Sequence, residues 1–121
     1  TFYSTLYGTR AGYIHYLFAT LAGVSKVGSY TGTGSNINVD CGFSAGARFV
    51  LIKRTDSTQN WFLYDSVRGI VASADPSINL NTSSAQSAVN DDIDPLSSGF
   101  SIPSGSNVNT NNATYIFLAI A

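Results

Sequence analysis

The sequence predicts an all-β domain, an antiparallel β-sandwich of jelly-roll-like build with few or no helices, and three observations carry that expectation. Short apolar or alternating runs recur along the 121 residues, separated by turn-forming residues. Residues that favour exposed helix are nearly absent: there is no Glu and no Met, and the only lysines are Lys26 and Lys53. Charged residues make up 11%, less than half the roughly 25% of a typical soluble protein. Gly, Ser, Thr and Asn fill the gaps, the profile of a β-rich structural or extracellular module.

The candidate strands, in order, are residues 2–7, 13–21, 24–31, 37–43, 47–54, 61–65, 70–72, 77–80, 100–102 and 114–121, a set one or two larger than the fold is expected to use. A buried helix over 13–22 or 114–121 is the alternative for those runs, opposed by the aromatic and β-branched residues in both. The punctuation is clear: Gly23, the 31–36 stretch TGTGSN, the 42–46 stretch GFSAG, the 55–60 stretch TDSTQN, and a loop opened by Pro103. Residues 49–52 and 115–121 are apolar at every position and therefore suit central strands covered on both sides by a second sheet or a neighbouring subunit.

This length fits one domain, able to bury about two-thirds of the surface its unfolded chain exposes. Residues 1–121 are read as a single sandwich with 1–12 as an N-terminal extension, and, because the chain opens at Thr1 and stops within an apolar run, as part of a longer polypeptide. No apolar run approaches the ~20 residues needed to span a bilayer, so a soluble domain without membrane insertion is expected. A formal charge of −1 gives no electrostatic footprint for nucleic acid. Cys41 has no partner for an intrachain disulfide; flanked by Val39 and Phe43 in an alternating run, it reads as a small buried apolar residue, with interchain pairing or a reactive thiol as the alternatives.

The one crowd of chemically active side chains is NWFLYDSVRG, residues 60–69. As a strand it places Trp61, Leu63 and Asp65 on one face and Phe62 and Tyr64 on the other. Asp65 and Arg68, three apart before Gly69, are expected to form a charge-assisted pair that locks the turn. The functional alternative is a ligand patch of Trp61, Tyr64, Asp65 and Arg68, since aromatics that stack on sugars need polar neighbours. Asp91, Asp92 and Asp94 could supply oxygens to calcium, but the stretch lacks the glycine and distal Glu of the helix-loop-helix site and reads first as a solvated acidic turn. A glycosidase pair drawn from Asp65, Asp92 and Asp94 would need one protonated and one ionised carboxyl across a cleft.

His15 stands alone in an apolar run, which does not support zinc. The string Gly42-Phe-Ser44-Ala-Gly46 matches a nucleophile elbow, but a strand-like run follows where a helix is required and the only His comes earlier, so a glycine-rich turn is expected. The 31–36 stretch lacks a following Lys-Ser/Thr and is read as a turn and not a phosphate loop. The glycosylation strings at Asn81 and Asn112 carry no weight in an Asn/Ser/Thr-rich chain. No cofactor is predicted.

The run Ala47 to Gly69, with Tyr16-Leu-Phe-Ala19, the 27–34 stretch VGSYTGTG, Asp94-Pro95 and the closing YIFLAIA, resembles a domain of unknown function found in tail-fibre and other tail structural proteins of tailed, often marine, bacteriophages. The likeness runs from Tyr13 onward; residues 1–12 have no counterpart in it. The resemblance implies a β-sandwich module on a virion fibre, usually trimeric and able to touch the host surface, with Trp61, Tyr64, Asp65 and Arg68 as signature positions of no assigned role. It brings no catalytic site. Three functions follow as expectations: a tail-fibre or tail-tip domain that attaches to a host glycan or surface protein, a purely structural head-decoration or tail-surface protein, and a polysaccharide hydrolase. The first, non-enzymatic and borne on a virion assembled in the bacterial cytoplasm, is preferred.

Overall fold

The computed structural model describes residues 16–121. The expected strand at 2–7, the start of the 13–21 run and His15 lie outside the described residues. Eight strands follow in chain order: β1 (Ser25–Thr31), β2 (Ile37–Asp40), β3 (Phe49–Arg54), β4 (Trp61–Asp65), β5 (Ser77–Asn79), β6 (Asp94–Leu96), β7 (Gly99–Ile102) and β8 (Thr114–Ile120). They form a five-stranded sheet in the order β1-β8-β3-β4-β5 and a three-stranded sheet in the order β2-β7-β6. Every pairing is antiparallel, and no helix occurs among the described residues. The chain is all-β, as its composition predicts.

The two runs that are apolar at every position become β3 and β8, hydrogen-bonded to each other and central in the larger sheet. Their inward residues Val50, Ile52, Tyr115 and Ala119 are essentially inaccessible. Against them pack Val39, Phe100 and Ile102 from the smaller sheet, so the two sheets share one core. Phe100 meets Phe117 edge to face at 5.4 Å, and Tyr30 stacks on Tyr115 at 4.9 Å, geometries that add to the burial of rings this size. Each fully buried side chain of this kind contributes about 1.5–3 kcal/mol.

Four expected elements differ, each for a physical reason. The 37–43 run ends at Asp40 because the Gly42 N–H turns back onto the Asp40 carboxylate at 2.8 Å, with Gly42 at a positive φ of 71°. Residues 70–72 form no strand; they sit in a loop where only Ile70 reaches the core. Residues 16–20 are neither strand nor helix, and Leu21 makes only an isolated bridge to Ser25. Conversely, β6 lies inside the acidic stretch and contains Pro95, which a strand tolerates at an edge position because no ladder donor is needed on the outer side.

The β2–β7 pair is unusually close at Gly99, where an added Cβ would fall 2.1 Å from the Val39 carbonyl oxygen and 3.0 Å from Cys41 Sγ. At the other end a buried Asn109 ties two loops, its own between β7 and β8 and the one between β1 and β2. Its Oδ1 accepts from the Thr33 and Gly34 N–H groups at 2.9 and 3.3 Å, and its Nδ2 donates to the carbonyls of Ser35 and Pro103 at 2.8 and 3.0 Å.

Cys41 is buried at 6% exposure, and burial pushes its thiol up to about 11. Native protein at pH 8 is therefore expected to resist a thiol-alkylating reagent and to take up one equivalent only on unfolding, read by mass; fast labelling of the native state would contradict the burial. Gly99→Ala is expected to destabilise the domain by about 1–3 kcal/mol in a denaturant melt, the cost of forcing an extra carbon into a closed contact.

Candidate functional site

The four signature residues do not meet in one place; the structure distributes them over three. Trp61 lies on the outer face of the five-stranded sheet, the face turned away from the three-stranded sheet. In register across that face runs one apolar side chain from every strand: Val27, Leu118, Leu51, Leu63 and Ile78. The next row places Ile116 on β8, Lys53 on β3 and Trp61 on β4. Lys53 reaches off the face to donate to the Gln59 carbonyl at 2.6 Å. Trp61, 39% exposed, is held by its backbone N–H to Asn81 Oδ1 at 2.9 Å and lines a cleft of about 730 Å3 with Tyr16, Phe18, Leu80 and Ile116.

Tyr64 is on the opposite face and fully buried. Its hydroxyl donates to Asp92 Oδ2 at 2.9 Å, while Asp92 Oδ1 accepts from the Asn107 N–H at 2.9 Å. Ser106 Oγ donates to the Asp92 carbonyl at 2.9 Å. Burial and then the Asp92 charge push the Tyr64 hydroxyl far above the usual phenol range, so it stays a donor. Beside it is Asp75, 1% exposed and not singled out by sequence. Its Oδ2 accepts from the N–H groups of Asp92 and Ile93, both at 2.9 Å, and its Oδ1 accepts from the Val71 N–H at 3.1 Å. Burial raises the Asp75 carboxyl, with the three N–H donors opposing.

The expectation of a solvated acidic turn is therefore corrected. Asp91 is exposed, Asp92 is buried and bonded, and Asp94 opens β6 half-buried. The calcium candidates Asp91, Asp92 and Asp94 are not brought together as a ligand set, and among the described residues no group of three or more carboxylate, His or Cys side chains is placed to hold a metal ion. Nor do Asp65 and Asp92 share a cleft: one ends β4 on the outer face and the other is buried on the inner side.

Asp65 and Arg68 occupy the third place, the turn after β4. The Arg68 guanidinium pairs with Asp65 Oδ2, while Asp65 Oδ1 caps the N–H groups of Val67 and Arg68 at 3.0 and 2.9 Å. The Gly69 N–H returns to the Asp65 carbonyl at 3.0 Å. This locked turn displays Val67 at 90% exposure. Next to it stands Arg48, whose backbone is fixed on both sides, N–H to Ile120 and carbonyl to Ser66, each at 2.8 Å. Arg48 makes no ion pair among the described residues. The two arginines, Ser66 and Phe49 line a shallow cavity of about 590 Å3. The cavity also holds the Asp65 carboxylate that pairs with Arg68, which leaves the exposed Arg48 guanidinium beside the Ser66 hydroxyl as the group able to bind an oxyanion or sugar hydroxyl by charge-assisted hydrogen bonds.

Ser44 lies exposed in a turn between β2 and β3, with Gly42 and Gly46 at φ of 71° and 82° and no helix following, so the elbow string carries no nucleophile geometry. Sequence reasoning missed Arg48 because an isolated arginine carries no pattern. It missed the cleft because Tyr16, Phe18, Trp61, Leu80 and Ile116, far apart in sequence, meet only in the folded chain.

A family model described as a domain of unknown function (DUF7483) matches residues 4–121. The match takes in most of the 1–12 stretch for which the sequence resemblance gave no counterpart. No curated protein and no solved structure matches the chain.

Asp75→Asn leaves one carbonyl oxygen to serve three N–H groups and is expected to cost about 1–3 kcal/mol in a urea melt. The raised carboxyl also has a signed pH consequence. The folded state holds this proton more tightly than the unfolded chain does, so the stabilisation from Asp75 is complete below the ordinary carboxyl value of 3.8 and is lost as pH rises through the raised folded value. Melts from pH 3 upward should show that falling component in the natural protein and not in Asp75→Asn; identical slopes would remove Asp75 as its source.

Proposed function

The chain belongs to this family of unknown function, and from that premise we propose that it is a structural module of a bacteriophage virion, a tail-fibre or tail-tip domain that takes part in host-surface attachment. The observation that carries the reading is the row of five apolar side chains on the outer face of the large sheet, Val27, Leu118, Leu51, Leu63 and Ile78. An antiparallel sheet with one solvated face alternates apolar and polar residues. The row itself is partly covered within the chain, Leu118 being 8% exposed, but Val27, Trp61, Leu80 and Ile116 around it stand open. A sheet with such an apolar margin on its outer face suits a domain that works within an assembly, with subunits of its own kind as partners. The sequence resemblance to phage tail proteins supports the same reading, as does a free buried thiol, which a reducing bacterial cytoplasm tolerates.

Attachment is assigned to the Asp65–Gly69 turn and Arg48. Binding loops on rigid scaffolds are the usual carriers of recognition, and here the loop is locked by its own carboxylate. The ligand class is an envelope glycan bearing oxyanions or clustered hydroxyls; the role needs no cofactor and no bond cleavage. A purely structural role in the head or tail surface is the second reading, favoured by the apolar outer face, which serves assembly without any receptor.

The test is retention of the purified chain on immobilised bacterial envelope polysaccharides. Attachment predicts saturable binding that falls about tenfold or more in Arg48→Ala and Arg68→Ala, the loss of a charge-assisted hydrogen bond. A folded domain that binds none of them leaves the structural role as the better account.

A further inference from the structure

We infer that the outer face of the five-stranded sheet is an interface between copies of this chain, with the Trp61 cleft of one copy receiving Leu17, which projects from the 16–18 arm of a second. The inference rests on the assembly half of the proposed function and names the surface through which assembly occurs.

Three observations select a second copy as the occupant. The first is area. Tyr16, Leu17, Phe18, Trp61, Leu80 and Ile116 stand between 39% and 84% exposed on this face and the edge beside it. At about 150–250 Å2 for a fully exposed side chain of this size, they leave on the order of 700 Å2 uncovered, close to the ~800 Å2 that each partner contributes to a standard interface. The largest apolar patch on a monomer is typically about 300–600 Å2.

The second observation is composition. The row of Val27, Leu118, Leu51, Leu63 and Ile78 forms an uncharged floor, with Leu118 8% exposed, Leu51, Leu63 and Ile78 half-buried and Val27 open. The charged groups of neighbouring rows, Lys53 and Asp65, are tied to Gln59 and to Arg68. Interface cores are depleted in charge and rich in aromatic residues in the same way.

The third is complementarity within one chain. Tyr16 and Phe18 form part of the cleft wall, whereas Leu17 between them does not and is 84% exposed. Each copy thus carries both a concave apolar cleft of about 730 Å3 and a projecting apolar side chain beside it. The arm is anchored where it leaves the sheet: Thr20 Oγ1 accepts from the Val27 N–H at 3.1 Å, and Ser25 Oγ donates to the Ala19 carbonyl at 2.8 Å. Knob and cleft are therefore held at a fixed spacing, which favours repetition of the same contact from copy to copy.

The test is the oligomeric state of the whole 121-residue chain across dilution, by light scattering and sedimentation, read together with the emission of Trp61, its only tryptophan. The inference predicts an oligomer at micromolar concentration that dissociates on dilution as the Trp61 emission moves to the red. Leu17→Asp and Ile116→Lys should raise the dissociation midpoint at least tenfold with the melting temperature kept, while Val89→Asp, at an exposed loop position off this face, should leave it unchanged. A chain monomeric at 200 µM overturns the inference, as does an oligomer insensitive to both substitutions. A monomer with blue emission at every dilution also overturns it, because the face is then covered within one copy. The Trp61 reading uses the natural chain and stands even if a variant fails to fold. Glycan retention without self-association would sink this inference and spare the attachment reading; self-association without retention would do the reverse.

Discussion

Everything in this fold depends on β8 lying between β1 and β3. The closing strand Thr114–Ile120 pairs with β1 over seven residues and with β3 over six, so it joins the first and third strands of the chain and closes the larger sheet. It is also apolar on both faces: Tyr115, Phe117 and Ala119 point into the shared core, and Ile116, Leu118 and Ile120 point out. One face is satisfied by the three-stranded sheet. On the other face Leu118 is only 8% exposed while Ile116 and Ile120 stand open, and the functional reading grows from that open margin.

A second constraint holds the loops to this frame. The large sheet ends at β5, whose three residues offer little pairing, and the long segments around it are organised by two buried carboxylates, with no buried cation among the described residues. Asp75 gathers three backbone N–H groups, and Asp92 takes the Tyr64 hydroxyl and the Asn107 N–H. A carboxylate that accepts several N–H bonds recovers much of the hydration it loses. Tyr64 is thus a structural signature: its ring fills the core while its hydroxyl fixes the 90–93 segment. Asp65, the next residue, and Arg68, four residues on, fix the following turn through their own ion pair.

Much of the fold was legible in the sequence. The period-two and all-apolar runs located β1, β3, β4, β5, β7 and β8 closely, because each buries a face that must alternate or be continuous. The segment β6 was hidden by Asp94 and Pro95, which read as loop yet are acceptable on a short edge strand. The site was less legible. Trp61, Tyr64, Asp65 and Arg68 are adjacent in sequence, but strand alternation sends Trp61 and Tyr64 to opposite faces, and the length of β4 separates Trp61 from the turn. Asp75 and Arg48 were invisible because their meaning comes from partners far along the chain.

The outer row of Val27, Leu118, Leu51, Leu63 and Ile78 is the feature on which the functional account turns, and methyl resonances report on it residue by residue. The most direct measurement is a methyl NMR spectrum of the chain at two concentrations a hundredfold apart. The account predicts concentration-dependent shifts for Val27, Leu51, Ile116 and Leu118 on the outer face, with Val50, Ile52 and Ile102 of the inner core unmoved. Shifts absent from the outer row, or confined to the turn around Val67, would contradict it.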